Sequence, residues 1–369
     1  MPSSLLQRIE RYLRDPASGR FDELARDAFA FQVEHIPAVA ALAAARGTDP
    51  AAVASWREVP AVPALGFKSV DLSPRGLGDE DEDEHGGLEV FRSSGTTGRA
   101  RSVHRHPFPG LYRAVIDASF PRSCWGGPLP RAGAPMLSLI PPRADLPDSS
   151  LSFMVDHAMR RWGAEDASGY AFGAGGLDGE AAQRWLAERA RDGRPGLVLA
   201  TAFALAAWLD ALAATGARHR LPAGTVLFET GGFKGRTREL GRGELLERVE
   251  DRLGIPRGRV VREYGMTELT SQLYTDVLAG GDPDLFVAPH WVRVRVLDPE
   301  TLAEARPGAA GLVAVFDLAN LSSTVHLLTE DLGALEPGGL RLLGRAAGAE
   351  LRGCSLAAEE LIVGGRGGP

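Results

Sequence analysis

The stretch Ser93-Ser94-Gly95-Thr96-Thr97-Gly98 sets six consecutive residues that carry a hydroxyl or no side chain directly behind the run Leu88-Glu89-Val90-Phe91. Glycine lets a backbone turn tightly against a ligand, and clustered N–H groups with hydroxyls cradle phosphate oxygens. The Gly-Lys-Ser/Thr ending of the common P-loop is missing, so a polar surface loop is the plain alternative. Three further islands follow along the chain. They are Glu229-Thr230-Gly231-Gly232-Phe233-Lys234-Gly235-Arg236, Glu263-Tyr264-Gly265-Met266-Thr267-Glu268-Leu269, and Leu328-Thr329-Glu330-Asp331-Leu332-Gly333 with Leu343-Gly344-Arg345 after it. A glycine-rich turn at the end of a strand is well placed to lie flat against a base. No Ser-His-Asp order, no His-Glu-x-x-His helix and no pair of catalytic carboxylates competes with this reading.

The elements that must position these islands follow from periodicity. Leu5, Leu6, Ile9, Tyr12 and Leu13, then Phe21, Leu24, Ala25, Ala28 and Phe29, recur at helical spacing, which predicts helices over residues 1 to about 60. Pro60, Pro63 and the acidic run at 79–84 mark an exposed, solvated connection. Beyond residue 88, apolar runs at 135–140, 196–200, 225–229 and 260–263 predict strands, and 180–191, 203–213 and 239–253 predict helices between them. Alternation of this kind predicts a layered α/β core. After Ala288 the pattern changes: 291–297 alternates strictly, and 311–316 and 339–343 follow without helices, which predicts a small antiparallel β subdomain. Residues 364–369, rich in glycine, read as a mobile tail.

Composition narrows the partners. A chain of 369 residues with 44% hydrophobic and 24% charged residues is ordinary globular material. Its net charge of −7 argues against nucleic acid as a partner. The longest uncharged run, 195–209, is too short to span a bilayer as a helix. The N-terminus carries charge too early for a signal-peptide core, so a cytoplasmic protein is expected. Two cysteines, Cys124 and Cys354, make neither a disulfide framework nor a four-cysteine zinc site. Of 41 basic residues only Lys68 and Lys234 are lysines, which singles them out as positions where a point charge is wanted, or as accidents of composition.

Taken in order, Ser93 to Gly98, Tyr264-Gly265-Met266-Thr267-Glu268, Thr329-Glu330-Asp331-Leu332-Gly333 and Gly344-Arg345 resemble the motifs of the AMP-forming adenylating superfamily. Within it, Gly231-Gly232-Phe233-Lys234-Gly235-Arg236 and Arg352-Gly353-Cys354-Ser355-Leu356 look most like the acyl-protein synthetase (LuxE-like) branch, a relative of the phenylacetate–CoA ligases. The resemblance covers roughly residues 60 to 361. It implies an α/β fold: an adenylate-forming large domain of layered α/β subdomains plus a small β subdomain, with a truncated C-terminal domain. The expected division is residues 1–87 as a helical N-terminal region, 88–343 as the adenylation core with its β subdomain from about 289, and 344–369 as a C-terminal segment bearing Cys354.

The resemblance also implies roles. Ser93, Ser94, Gly95, Thr96, Thr97 and Gly98 would grip the β- and γ-phosphates of ATP, Thr267 the α-phosphate, and Glu268 a Mg²⁺ ion. Gly231, Gly232 and Phe233 would line the adenine, with Tyr264, followed by Gly265, stacking on it. Asp331 would accept from the ribose hydroxyls and Arg345 would reach the ribose. The plain alternatives are a helix N-terminal carboxylate for Glu268, an Asx turn for Asp331 and a surface charge for Lys234. A carboxylic acid substrate needs no general base, since its carboxylate is already nucleophilic at neutral pH.

Two departures stand out against full-length relatives. Only 24 residues follow Arg345 and none is a lysine, so the cation that assists adenylation there is replaced by Lys234 or Lys68, or dispensed with. Cys354, beside Arg352, reads as a thiol that takes the acyl group as a thioester and passes it to a partner such as a fatty acyl reductase; a buried structural cysteine is the alternative. By the same analogy the acid is a long-chain fatty acid. The rival activity is transfer to CoA, as in phenylacetate–CoA ligases, or to an amine or carrier protein. A nucleotide-binding module without activity is the non-enzymatic alternative. Cys124 reads as structural. Met136 to Ile140, Ser152 to His157 and Phe233 are candidate walls for the acyl pocket, although helix and strand cores use the same residue types; His157 reads first as a satisfied interior histidine, with contact to the carboxylate as the alternative.

Overall fold

Leu197–Thr201 and Val226–Thr230 are buried along almost their whole length, as strands covered on both faces must be. The computed structural model describes residues 2–77, 87–93, 101–130, 133–231, 241–346 and 361. It divides into two compact units, one of Met1–Ala118, Met266–Gln272 and Val287–Pro369, the other of Ser119–Gly265 and Leu273–Phe286.

The second unit is a mainly parallel sheet. Gly169–Tyr170, Met136–Ser138, Leu197–Thr201, Val226–Thr230 and Val260–Tyr264 run parallel in that spatial order, and Leu273–Thr275 closes antiparallel on the last. Leu137, Val198, Ala200, Leu227 and Val260 share one hydrophobic core with Trp185, Leu205, Trp208, Leu245 and Val249. Those partners come from helices Gly179–Asp192, Ala202–Ala214 and Arg242–Leu253. Phe228 meets Phe120, which stacks on Trp162 at 5.4 Å. Burial of each such side chain stabilises the fold by about 1.5–3 kcal/mol before the entropy of ordering it is subtracted. Side-chain oxygens of Asp178 and Thr201 accept the free amides that begin their helices.

In the first unit Val292–Leu297, Gly311–Asp317, His326–Glu336 and Gly339–Arg345 form successive antiparallel pairs. Val62–Pro63 lies parallel to the start of His326–Glu336. Helices Pro2–Arg14, Phe21–His35 and Pro37–Ala45 belong to the same unit, and Leu5, Ile9, Leu13, Leu24 and Phe29 are buried as their spacing predicts. Trp56, Phe21, Phe316 and His326 form an aromatic cluster. The hairpin Glu89–Arg92 with Val103–His106 brackets the hydroxyl-rich loop.

Several expectations are corrected. Regular helix ends at Ala45, where left-handed Gly47 and then Pro50 interrupt it, and only short 3₁₀ turns follow to residue 58. Asp331 lies inside the eleven-residue strand His326–Glu336, not at an Asx turn. Pro109–Trp125 and Ser150–Trp162 are helices that periodicity did not reveal, the first because Pro121 sits within it. The acidic run 79–84 and the tail 364–369 lie outside the described residues. Among those described, no single helix is long and apolar enough to cross a membrane.

Candidate active site

Glu268 is positioned by a turn of the first unit, Met266–Gln272, that is held by several hydrogen bonds. Leu269 N–H closes the turn onto the Met266 carbonyl at 3.0 Å. Asn320 Nδ2 donates to the Glu268 carbonyl at 2.8 Å and to the Thr324 carbonyl at 2.7 Å, while its Oδ1 accepts from Thr270 Oγ1 at 3.0 Å. Ser271 donates twice to Asp317, from N and from Oγ, each at 2.7 Å, and Trp291 Nε1 donates to Ser271 Oγ at 2.9 Å. Burial pushes the Asp317 carboxyl up to about 6, against the hydrogen bonds that hold it ionised. A buried polar set satisfied this fully is rigid. No helix follows the turn, so Glu268 is not a helix N-terminal carboxylate.

The Glu268 side chain is 16% exposed and faces Ser102 and His104. Ser102 Oγ lies 3.4 Å from its Oε1, and His104 Nε2 lies 3.8 Å from the same oxygen. Burial lowers the His104 pKa to about 4, so at neutral pH the imidazole is uncharged and makes no ion pair with Glu268. Ser102 also closes the mouth of the hydroxyl-rich loop. Its N–H donates to Ser93 Oγ at 3.0 Å, and Ser93 N–H donates to the Ser102 carbonyl at 3.1 Å. Arg101 Nε donates to the Ser93 carbonyl at 2.7 Å. Ser94, Gly95, Thr96, Thr97 and Gly98 lie outside the described residues.

Asp331 and Arg345 are register partners on adjacent strands, with Arg345 Nε 3.2 Å from Asp331 Oδ1. Burial pulls the Arg345 pKa down, but Asp331, Glu330 and Glu268 outweigh it and raise it. That interaction puts Glu268, Asp331 and Arg345 in one electrostatic neighbourhood. Left-handed Gly344, at φ 133°, gives the backbone of Arg345 its approach. Lys68 is exposed at the end of the 3₁₀ turn Ala64–Lys68. Among the described residues no three His, Cys, Asp or Glu side chains gather as a metal cage. A single carboxylate of this kind fits Mg²⁺, which keeps waters and takes most of its ligands from a polyphosphate.

In the second unit, Thr230 and Glu263 pair in register at the ends of Val226–Thr230 and Val260–Tyr264, and Thr230 Oγ1 donates to the Glu263 carboxylate. Gly231 follows at φ 73°, a conformation that a Cβ strains. Glu229 is buried beside Arg242 and Arg262, each 3.6 Å away; burial raises its pKa and the two guanidinium groups oppose that rise. Tyr264 is 8% exposed, with its ring 6.0 Å from Phe286. Gly265 leads from Tyr264 into the turn of Glu268. Cys124 is a buried free thiol whose pKa is raised by burial and by Glu263, as an inert interior cysteine requires. Gly232, Phe233, Lys234 and Cys354 lie outside the described residues.

Ser102, His104, Asn320 and Asp317 escaped the sequence reading. The one available signal was His104-Arg105-His106 on the strand Val103–His106, where both histidines are buried and Arg105 is exposed.

Residues 201–362 match the family model described as acyl-protein synthetase, LuxE. A search of curated proteins gives no match. Among solved structures, 2-hydroxyisobutyryl-CoA ligase in the postadenylation state with R3-HIB-AMP superposes with a TM-score of 0.63 at 16% identity, over 88% of this chain and 66% of that one. Its open conformation with 2-HIB-AMP and CoA gives 0.61 at 17%, over 87% and 68%. ATP-bound MatB from Rhodopseudomonas palustris gives 0.48 at 18%, over 69% and 47%, so the chain spans about half the length of that structure. At these identities the likeness to the ligase is one of fold. The family match is confined to residues 201–362, and the α/β fold is shared with the ligase.

Proposed function

We propose that this chain, which matches the acyl-protein synthetase family over residues 201–362 on an adenylate-forming fold, activates a carboxylic acid with ATP and hands it on as a thioester. The observation that carries the reading is the convergence of Glu268, Asp331 and Arg345 in one electrostatic neighbourhood, with Ser102, at the mouth of the hydroxyl-rich loop, beside Glu268. In this reading the acid's carboxylate oxygen attacks the α-phosphorus, the bond to the bridging oxygen breaks, and pyrophosphate leaves with its electron pair. Thr267 holds the α-phosphate, Ser93 to Gly98 hold the outgoing phosphates, and Asp331 and Arg345 fix the ribose. Mg²⁺ bound at Glu268 would neutralise charge on the transferring group. Roles for Gly231, Gly232, Phe233 and Tyr264 at the adenine rest on the motif resemblance alone.

The Cys354 thiolate then attacks the acyl carbon and AMP departs, its own proton having passed to solvent. Delivery to a partner such as a fatty acyl reductase, a long-chain fatty acid as substrate and a cytoplasmic setting belong to the same proposal. So does the division into an adenylation core, 88–343, and a C-terminal segment, 344–369. The fold shared with a CoA ligase favours a second reading in which the acceptor is CoA.

Acid-dependent pyrophosphate–ATP exchange tests the first step, and a mere nucleotide binder gives none. Labelled acid with ATP tests the second. A hydroxylamine-labile protein adduct that disappears in Cys354→Ser supports autoacylation; release of acyl-CoA with no adduct supports the CoA reading.

A further inference from the structure

Ser102 and His104 lie outside the matched family segment and have no role in the reaction described above. Both are buried, at 2% and 7% exposure. Ser102 Oγ sits 2.8 Å from His104 Nε2 and 3.4 Å from Glu268 Oε1. Phe67 stacks on the imidazole at 4.7 Å, and His104 Nδ1 is buried without a partner.

Proton bookkeeping decides the direction of these bonds. A serine hydroxyl has one proton to give. Were the imidazole proton on Nδ1, a buried N–H would be orphaned, and Ser102 would donate to Nε2 with nothing left for Glu268. With the proton on Nε2, the imidazole donates to Ser102 Oγ and the hydroxyl turns its own proton to Glu268 Oε1. The orphan is then a bare nitrogen acceptor, the less costly of the two. The contact at 3.4 Å is long for a hydroxyl and a carboxylate, as such contacts are before substrate tightens them.

We infer that Ser102 and His104 are positioning residues that orient the Glu268 carboxylate, relaying one hydrogen bond from imidazole to hydroxyl to carboxylate. The inference rests on the role proposed for Glu268. It also accounts for the alternation on one strand. His104 reaches the turn through Ser102, and two residues on, His106 bonds Thr270 of the same turn at 3.3 Å and Ser322 at 3.0 Å. Since the Ser102 N–H holds Ser93 Oγ, one residue ties the entrance of the proposed phosphate loop to the proposed metal carboxylate.

Two measurements test this. Side-chain ¹⁵N NMR of the nucleotide-free protein should show His104 protonated at Nε2, with its signals moving in Glu268→Gln; an Nδ1–H tautomer overturns the relay. In Ser102→Ala and His104→Leu, the Mg²⁺ concentration for half-maximal pyrophosphate exchange should rise about tenfold, and Mn²⁺ binding with ATP, read by EPR, should weaken in parallel. His104→Gln, which keeps an N–H donor, should recover most of both. Wild-type metal dependence in folded Ser102→Ala or His104→Leu overturns the proposal. If the wild-type protein exchanges no pyrophosphate with any acid, the adenylation reading fails, while the tautomer and the Mn²⁺ titration still decide the relay.

Discussion

Arg345 and Asp331 face each other in register across two antiparallel strands, and the arginine's pKa is raised by Asp331, Glu330 and Glu268 together. The pairing holds the Asp331 carboxylate at a fixed height on the sheet. Because the Arg345 side chain is 65% exposed, the ion pair contributes less than about 1 kcal/mol to stability.

For Asp331→Asn, therefore, the expected loss is in binding and not in folding. A hydrogen bond to a charged group contributes about 1.5–3 kcal/mol, so the ATP concentration for half-maximal pyrophosphate exchange should rise about 10- to 100-fold. The melting temperature should stay within a few degrees of the wild type. An unchanged ATP dependence would remove Asp331 from the nucleotide site.

Asn320→Ala should behave in the opposite way. It strips hydrogen bonds from the Glu268 and Thr324 carbonyls and from Thr270, all in a buried setting. Each orphaned group costs about 1–3 kcal/mol, so a melting temperature lower by several degrees is expected. Asn320→Asp keeps the acceptor for Thr270 but loses both donors, and should be nearly as damaging. Calorimetry on both variants checks this; a stable Asn320→Asp would show that the two carbonyls do not need their donors.

Asp317 sets a pH signature. Its folded pKa of about 6 lies above the unfolded carboxyl value of about 3.9, so between those pH values the native state binds more protons. Stability from this group is complete below about pH 4 and is lost as pH rises through 6, by roughly 2–3 kcal/mol at most. Denaturant unfolding of wild type and Asp317→Asn from pH 4 to 7 should show their stability difference narrowing in the wild type's disfavour. Parallel pH profiles would refute the assignment.

Gly231→Ala forces a Cβ onto a residue at φ 73°, with no neighbour within 4 Å among the described residues. The cost is then conformational alone, about 1–2 kcal/mol. A larger loss of stability, read by chemical denaturation, would mean that the position is sterically closed.

What was legible in the sequence was local. The strand Val226–Thr230 announced itself because a doubly covered strand is apolar throughout, and the motif islands because glycine and hydroxyl clusters are contiguous. His326–Glu336 was not read as a strand, because Thr329, Glu330 and Asp331 interrupt its apolar pattern at the place where the polar side chains are needed. The supports of Glu268 were invisible for another reason. Asn320 is 52 residues away and Ser102 is 166, and no short window relates them. A motif shows which side chains meet a ligand, whereas the groups that aim them are chosen by the tertiary fold.

The seven-residue turn Met266–Gln272 leaves the strands of one unit, is fastened by Asn320, Asp317, Trp291 and His106 of the other, and returns at Leu273. Dissection of this protein into expressible fragments is constrained accordingly. A fragment of residues 119–286 would keep the parallel strands of the second unit yet leave this turn with amides and hydroxyls whose mates were cut away, and no single cleavage point separates the two units cleanly.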